Sequence, residues 1–428
     1  MKLTSPEFVS AGALLLVLGK MALQLWLESI NRKYSRQRQS PPSGVSTEKF
    51  DTAVYEKSVA YTLAKSRFES FEIIFNAAIL ILVLFSGLLP AMFEWFIEQG
   101  GRGALVQSSY LFVIGVLFSL LGMPLEWYSQ FIIEERFGFN TMTKKLWWID
   151  RAKALLLGGV IGIPMLLLLV KIVEWTGQNW WIWGWAAMLL FQLIMMVLAP
   201  ILILPLFNKF IPLKEGSLRK RLLTLGERSG FYAQNILVMD GSKRSRHSNA
   251  FFTGFSKWRK IVLFDTLVQQ LDEAELEAVL AHEIGHYKKR HIPKMLFSSA
   301  ILSFGGFFMV AWLAEQEWFY RAFGFSQGSI VPALLLFTLL SGTITFYFSP
   351  IGNFVARRFE YEADAFASRM THGPHALITS LRKMTEKNLS NLTPHPIYSA
   401  VYYSHPTLFE REKALLKEEE KLHRTETA

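Results

Sequence analysis

The chain has 428 residues, a formal net charge of +10, 51% hydrophobic residues and no cysteine. The missing cysteine excludes disulfides, thiolate metal sites and a cysteine nucleophile, so any bound metal must rest on histidine and carboxylate ligands. The apolar residues gather in runs of about twenty, the length that crosses about 30 Å of hydrocarbon. The basic excess therefore reads as loops facing an anionic membrane leaflet, and not as a nucleic-acid site, which would interleave its charges with exposed aromatics.

The first run, Phe8 to about Trp26, is preceded by Lys2 alone and followed by Arg32, Lys33, Arg36 and Arg38. That bias is the reverse of a secretory signal, so the run is expected to be a retained anchor with its N-terminus outside. Six more spans follow, at about 71–93, 105–126, 154–173, 180–204, 295–314 and 330–350. Helices are the expected form, because lipid cannot satisfy free backbone groups and the runs lack the alternation of barrel strands. Basic residues collect again after span three (Arg136, Lys144, Lys145) and span five (Lys214, Arg219, Lys220, Arg221). The intervening loops hold little beyond Arg102 and Arg321. This alternation predicts seven helices with the C-terminus inside. The cluster Trp180, Trp181, Trp183 and Trp185 is expected in the outer aromatic belt.

The expected organisation is a membrane region over 1–206, an inner-side region over 207–294, two membrane helices within 295–354 and an inner-side tail over 355–428. The fold class is mainly α, a polytopic membrane protein with an inner-side α+β zinc-peptidase region. In the first inner region, Ile236–Met239, Ala250–Thr253 and Ile261–Phe264 read as short strands. A helix then starts at Asp272, with Glu275 three residues on completing a capping box. Residues 39–47 form a short polar loop, and the Glu-Thr-Ala ending carries no prenylation signal.

On the capped helix stands His282-Glu283-Ile284-Gly285-His286. Residues four apart share a helix face, so both imidazoles can reach one ion. Zinc takes nitrogen and oxygen ligands tetrahedrally and, in catalytic sites, leaves one position for water. Glu283 is placed to take that water's proton. One protein ligand is still missing. Just after the last span, Glu360 and Asp364 are four apart in Arg357-Arg358-Phe359-Glu360-Tyr361-Glu362-Ala363-Asp364. One of them can ligate while the other accepts a hydrogen bond from a ligand imidazole. Glu362 is expected to point elsewhere, into solvent.

These motifs, with His247-Ser248-Asn249-Ala250-Phe251-Phe252-Thr253-Gly254 and Ser404-His405-Pro406, resemble the type I CAAX prenyl proteases, integral membrane zinc peptidases. The resemblance runs in order along nearly the whole chain. It implies Glu360 as third zinc ligand, Asp364 as its supporting partner, and one Zn2+ per chain. It further implies that Asn249, Ala250, Phe251, Phe252 and Thr253 form an edge strand that pairs with the substrate peptide, and that His405 stabilises the oxyanion. The implied reaction is removal of a C-terminal tripeptide from a lipid-modified, prenylated protein by zinc-activated water, with Glu283 as base. His291 is expected to be a helix-end or supporting residue, while His372, His375, His395 and His423 are expected to be structural. The sequons at Asn388 and Asn391 fall on the inner side and carry no glycan role.

The zinc helix ends a few residues before span six, and Glu360 follows span seven by about ten residues, or roughly 15 Å of helix. The site is therefore expected at the inner, cytoplasmic boundary of a bacterial inner membrane or an ER-type membrane. Two alternatives remain. One is a quality-control protease of the HtpX type, whose members are usually shorter. The other is a non-catalytic receptor or transporter, which the intact Glu283 disfavours.

Overall fold

The computed structural model describes residues 5–38, 51–231, 235–253 and 260–426. The loop at 39–47 and Gly254 lie outside them, as does the side chain of His423. Six helical stretches are long and apolar enough to cross a membrane: Pro6–Gln37, Thr52–Phe85, Ala104–Phe137, Lys144–Phe207, His291–Ala314 and Ile330–Met370. The fourth runs for 64 residues, far more than one bilayer crossing needs. It folds back on itself at Gly177–Asn179, where Gly177 adopts φ 56°. Its two arms, Ile163–Thr176 and Trp180–Leu198, pack together. Counting both arms gives seven candidate spans among the described residues, and their exposed Leu15, Leu156, Phe297 and Leu302 form an apolar exterior suited to lipid.

Two sequence expectations shift. The run 71–93 is one apolar stretch in sequence but two helices in space, Thr52–Phe85 and Leu88–Gly100. Gly87 between them sits at φ 76°, a conformation glycine adopts freely and hydropathy cannot register. The tryptophan cluster is mostly packing. Trp180 is buried against Phe307, Trp181 lies edge-on to Phe304 and Phe308, and the Trp185 indole donates to the Ala300 carbonyl. Trp183 alone of the four is largely exposed.

The sheet has the order β1-β2-β4-β3. β2 (Asn235–Met239) runs parallel to β4 (Lys260–Phe264), while β1 (Phe210–Pro212) and β3 (Ala250–Thr253) are antiparallel edges. The three anticipated strands are present. β1 is an addition that sequence reading missed, because it is three residues long and only Asn208 and Lys209 part it from the apolar Leu204–Phe207 helix. The sheet packs on the helix Glu273–Lys288 through Ile236, Ile261 and Leu263 against Leu276, Leu280 and Ile284. Asp272 caps that helix, accepting from the Glu275 backbone while the Glu275 carboxylate accepts from the Asp272 N–H. Two residues further on, His291–Ala314 begins the next membrane helix.

Candidate metal centre

Two helices build the site. Glu273–Lys288 supplies His282, Glu283 and His286, and the 41-residue helix Ile330–Met370 supplies Glu360 and Asp364 without a break from its membrane-spanning part. They cross closely because Gly285 has no side chain. A Cβ there would stand 2.9 Å from Ala363 Cα and 3.0 Å from its carbonyl oxygen.

That approach brings three donor groups into a triangle. His282 Nε2 is 3.2 Å from His286 Nε2 and 3.4 Å from Glu360 Oε2, and His286 Nε2 is 3.3 Å from Glu360 Oε1. Zinc bonds of 2.0–2.1 Å at tetrahedral angles put neighbouring ligand atoms about 3.3–3.4 Å apart. The separations here are of that size, with a different Glu360 oxygen facing each imidazole. Glu360 Oε2 is buried without a hydrogen-bond partner, a costly state that a cation would relieve. Burial works against charge on His282, yet the carboxylates of Asp364 and Glu360 beside it outweigh burial and raise it to about 9.

Each imidazole is held from behind. His282 Nδ1 lies 2.8 Å from Asp364 Oδ1. Asp364 is in turn clamped by the buried Arg411, whose Nη2 and Nε donate to it at 2.5 and 2.8 Å. His286 Nδ1 lies 3.0 Å from Nδ1 of the buried His291, whose Nε2 is 3.1 Å from Glu362. His291 thus takes the supporting place expected of it. Glu362 does not point freely into solvent: it ends this relay, half-exposed. Sequence reading missed Arg411 altogether, since it lies 47 residues beyond its partner and carries no local signature.

Glu283 is half-buried beside the triangle, and burial pushes its carboxyl up. No protein donor holds the Glu283 carboxylate among the described residues. His405 faces the site from the C-terminal segment, its Nε2 3.4 Å from Glu360 Oε1 and its Nδ1 3.0 Å from Ser404 Oγ. β3 presents an edge that no other described strand covers. Phe252 turns inward toward Phe231 and Tyr287, Phe251 packs on Phe264, Ala250 lies partly buried on the core, and Asn249 is exposed. Thr253 closes the strand opposite Lys260.

Asn388, dismissed above as a sequon, has a different part. Its Oδ1 accepts from the Ser248 N–H, with His247 Nδ1 3.4 Å away, so it steadies the entry to β3. The remaining histidines are structural: His372 contacts Arg228, His375 faces Glu419, and His395 caps Pro396–Tyr402.

Comparison with known proteins gives the family of the chain. Residues 31–209 match the model of the CAAX prenyl protease N-terminal region with five membrane helices, and residues 212–419 match Peptidase family M48. CAAX prenyl protease 1 of Saccharomyces cerevisiae is 35% identical over 410 residues, 90% of each chain. The chain belongs to the M48 CAAX prenyl protease family. A homolog from Arabidopsis thaliana is 37% identical over 88% of this chain and 89% of its own, and the human homolog is 31% identical over 85% and 86%. The crystal structure of S. mikatae Ste24p superposes with a TM-score of 0.89 at 33% identity, covering 95% of this chain and 98% of that one. Family membership makes the chain a multi-pass membrane metallopeptidase, and the M48 name implies a metal cofactor. It does not favour the receptor or transporter alternative, and the full-length match to prenyl proteases weighs against the HtpX-type one.

Proposed function

We propose that the chain removes the C-terminal tripeptide of prenylated membrane proteins, using one Zn2+ held by His282, His286 and Glu360 on the cytoplasmic side of its membrane. Residues 207–294 and 355–428 form the peptidase unit in this reading, joined through the membrane helices of 295–354. The observation that carries it is the tetrahedral-edge triangle, with a free carboxylate, an imidazole and a sheet edge around it.

Zinc at this position supplies a Lewis acid that makes water nucleophilic near neutral pH. The chain's own residues do the rest. The β3 edge aligns an extended peptide by backbone hydrogen bonds, with Asn249 helping to hold it. Glu283, unencumbered by other donors, takes the attacking water's proton and returns it to the departing amine. His405 donates to the carbonyl oxygen as negative charge grows there. Asp364 and Arg411 hold His282 with Nδ1–H outward, leaving Nε2 to the ion, and His291 orients His286. The relatives, CAAX prenyl proteases from yeast to human, support the prenylated tail. The basic loops support the cytoplasmic placement.

The test is cleavage of a farnesylated C-terminal peptide by the purified full chain and by Glu283→Gln, with zinc measured in both. The expected result is stoichiometric zinc in both, and a loss of about 100-fold or more in the variant. Zinc-loaded wild type that leaves the peptide uncut would reject the substrate assignment. Wild type that binds no zinc would reject the mechanism.

A further inference from the structure

A cavity of about 810 Å³ opens beside the metal centre at His405 and Arg411 and extends to the helix Thr52–Phe85, where Tyr61, Lys65 and Glu69 line it. Most of the polar wall is already paired. The Tyr61 hydroxyl donates to Glu134 at 2.7 Å, Ser66 donates to the buried Glu28, and His247 lies between Glu134 and Asn388. Arg411 is committed to Asp364. Lys65 is different. Among the described residues its ammonium has the face of the Tyr61 ring, 5.3 Å from the centroid, and no carboxylate within ion-pair distance. Glu134 and Glu72 act on this partly buried cation only through space, so its direct ion-pairing position is open.

Strand direction says what would arrive there. A peptide adding antiparallel to the free edge of β3 runs from the Thr253 end toward the Ala250 end. Its C-terminal part therefore leaves beside Asn249 and His247, and His247 lines the cavity that contains Lys65. Three extended residues span about 10 Å, which a space of about 810 Å³ accommodates. Glu69, one helical turn from Lys65 on the same wall, repels a negative chain end, so the favourable position for one is at the ammonium.

On this basis, and resting on the function proposed above, we infer that Lys65 binds the terminal α-carboxylate of the substrate's three-residue tail. The site would distinguish a true chain end from an internal segment of a membrane protein.

The experiment compares two farnesylated peptides of one sequence, one ending in a free carboxylate and one in a carboxamide, cleaved by the full-length wild type, K65Q and K65R. The expected wild-type preference in kcat/KM is about tenfold or more for the acid, the scale of a hydrogen bond to a charged group. K65Q should bring the acid-to-amide ratio close to one, and K65R should restore part of it. The ratio is independent of how much of each preparation is folded. A wild-type ratio near one, or a K65Q ratio equal to wild type, overturns the Lys65 assignment while leaving the metallopeptidase standing. A zinc-loaded wild type that cuts neither peptide overturns the prenyl-protein substrate, and this inference with it.

Discussion

Arg411→Met removes one buried cation and nothing else of comparable size. In the native site Arg411 and Asp364 are 9% and 1% exposed, and two charge-assisted hydrogen bonds of 2.5 and 2.8 Å join them. Taking away one partner of a buried pair leaves the other uncompensated, at about 3–5 kcal/mol. Asp364 keeps only its contact with His282 Nδ1, so the imidazole loses a fixed backing. Disturbing such outer partners lowers metal affinity by about 10–100-fold. Two readouts follow: thermal unfolding in detergent, expected to fall by on the order of 5 °C, and zinc retained through a chelator titration. Asp364→Asn combined with Arg411→Met separates the two. Removing both charges should recover part of the stability, yet zinc should stay weakly bound, because a neutral amide backs His282 poorly. If Arg411→Met unfolds and releases zinc at wild-type values, the clamp has no role in holding the site.

Two further substitutions probe the frame. Gly285→Ala places a methyl 2.9 Å from Ala363 Cα, which is backbone and cannot turn aside. The helices must part, Glu360 moves away from both histidines, and the variant should lose about 1–3 kcal/mol together with most of its zinc; full zinc content in the alanine variant would refute the close-packing argument. His291→Phe keeps a ring to stack on Phe359, now 4.2 Å away, but removes the contact with His286. Zinc affinity should fall about tenfold, and less for Glu362→Gln, whose native carboxylate is half in solvent; equal affinities in wild type and His291→Phe would count against the relay.

Much of this was legible in the chain alone. His282, Glu283 and His286 follow from helical periodicity, because residues four apart meet on one face whatever surrounds them. The cap at Asp272 and the strands over 236–264 are likewise local. Glu360 and Asp364 could be paired with the histidines only as candidates until the resemblance named them, since no local rule joins residues about eighty apart. Arg411, Asn388 and the part of Glu362 escaped for the same reason: each acquires its meaning from a contact made across the fold. Gly87 escaped for another. Hydropathy averages side chains, and the break there is a backbone torsion.

The placement of the ligands has a consequence for the chemistry. Glu360 sits on the uninterrupted helix that forms the last span, and the helix bearing His282 and His286 is joined to the span His291–Ala314 by two residues. Neither ligand set rides on a mobile loop. Their separation is set by Gly285 against Ala363, a helix contact whose minimum distance is steric. A shift of even 1 Å between the helices Glu273–Lys288 and Ile330–Met370 would open the 3.3–3.4 Å separations between the histidines and Glu360 beyond what one tetrahedral ion can bridge. The centre is thereby coupled to the packing of the membrane helices.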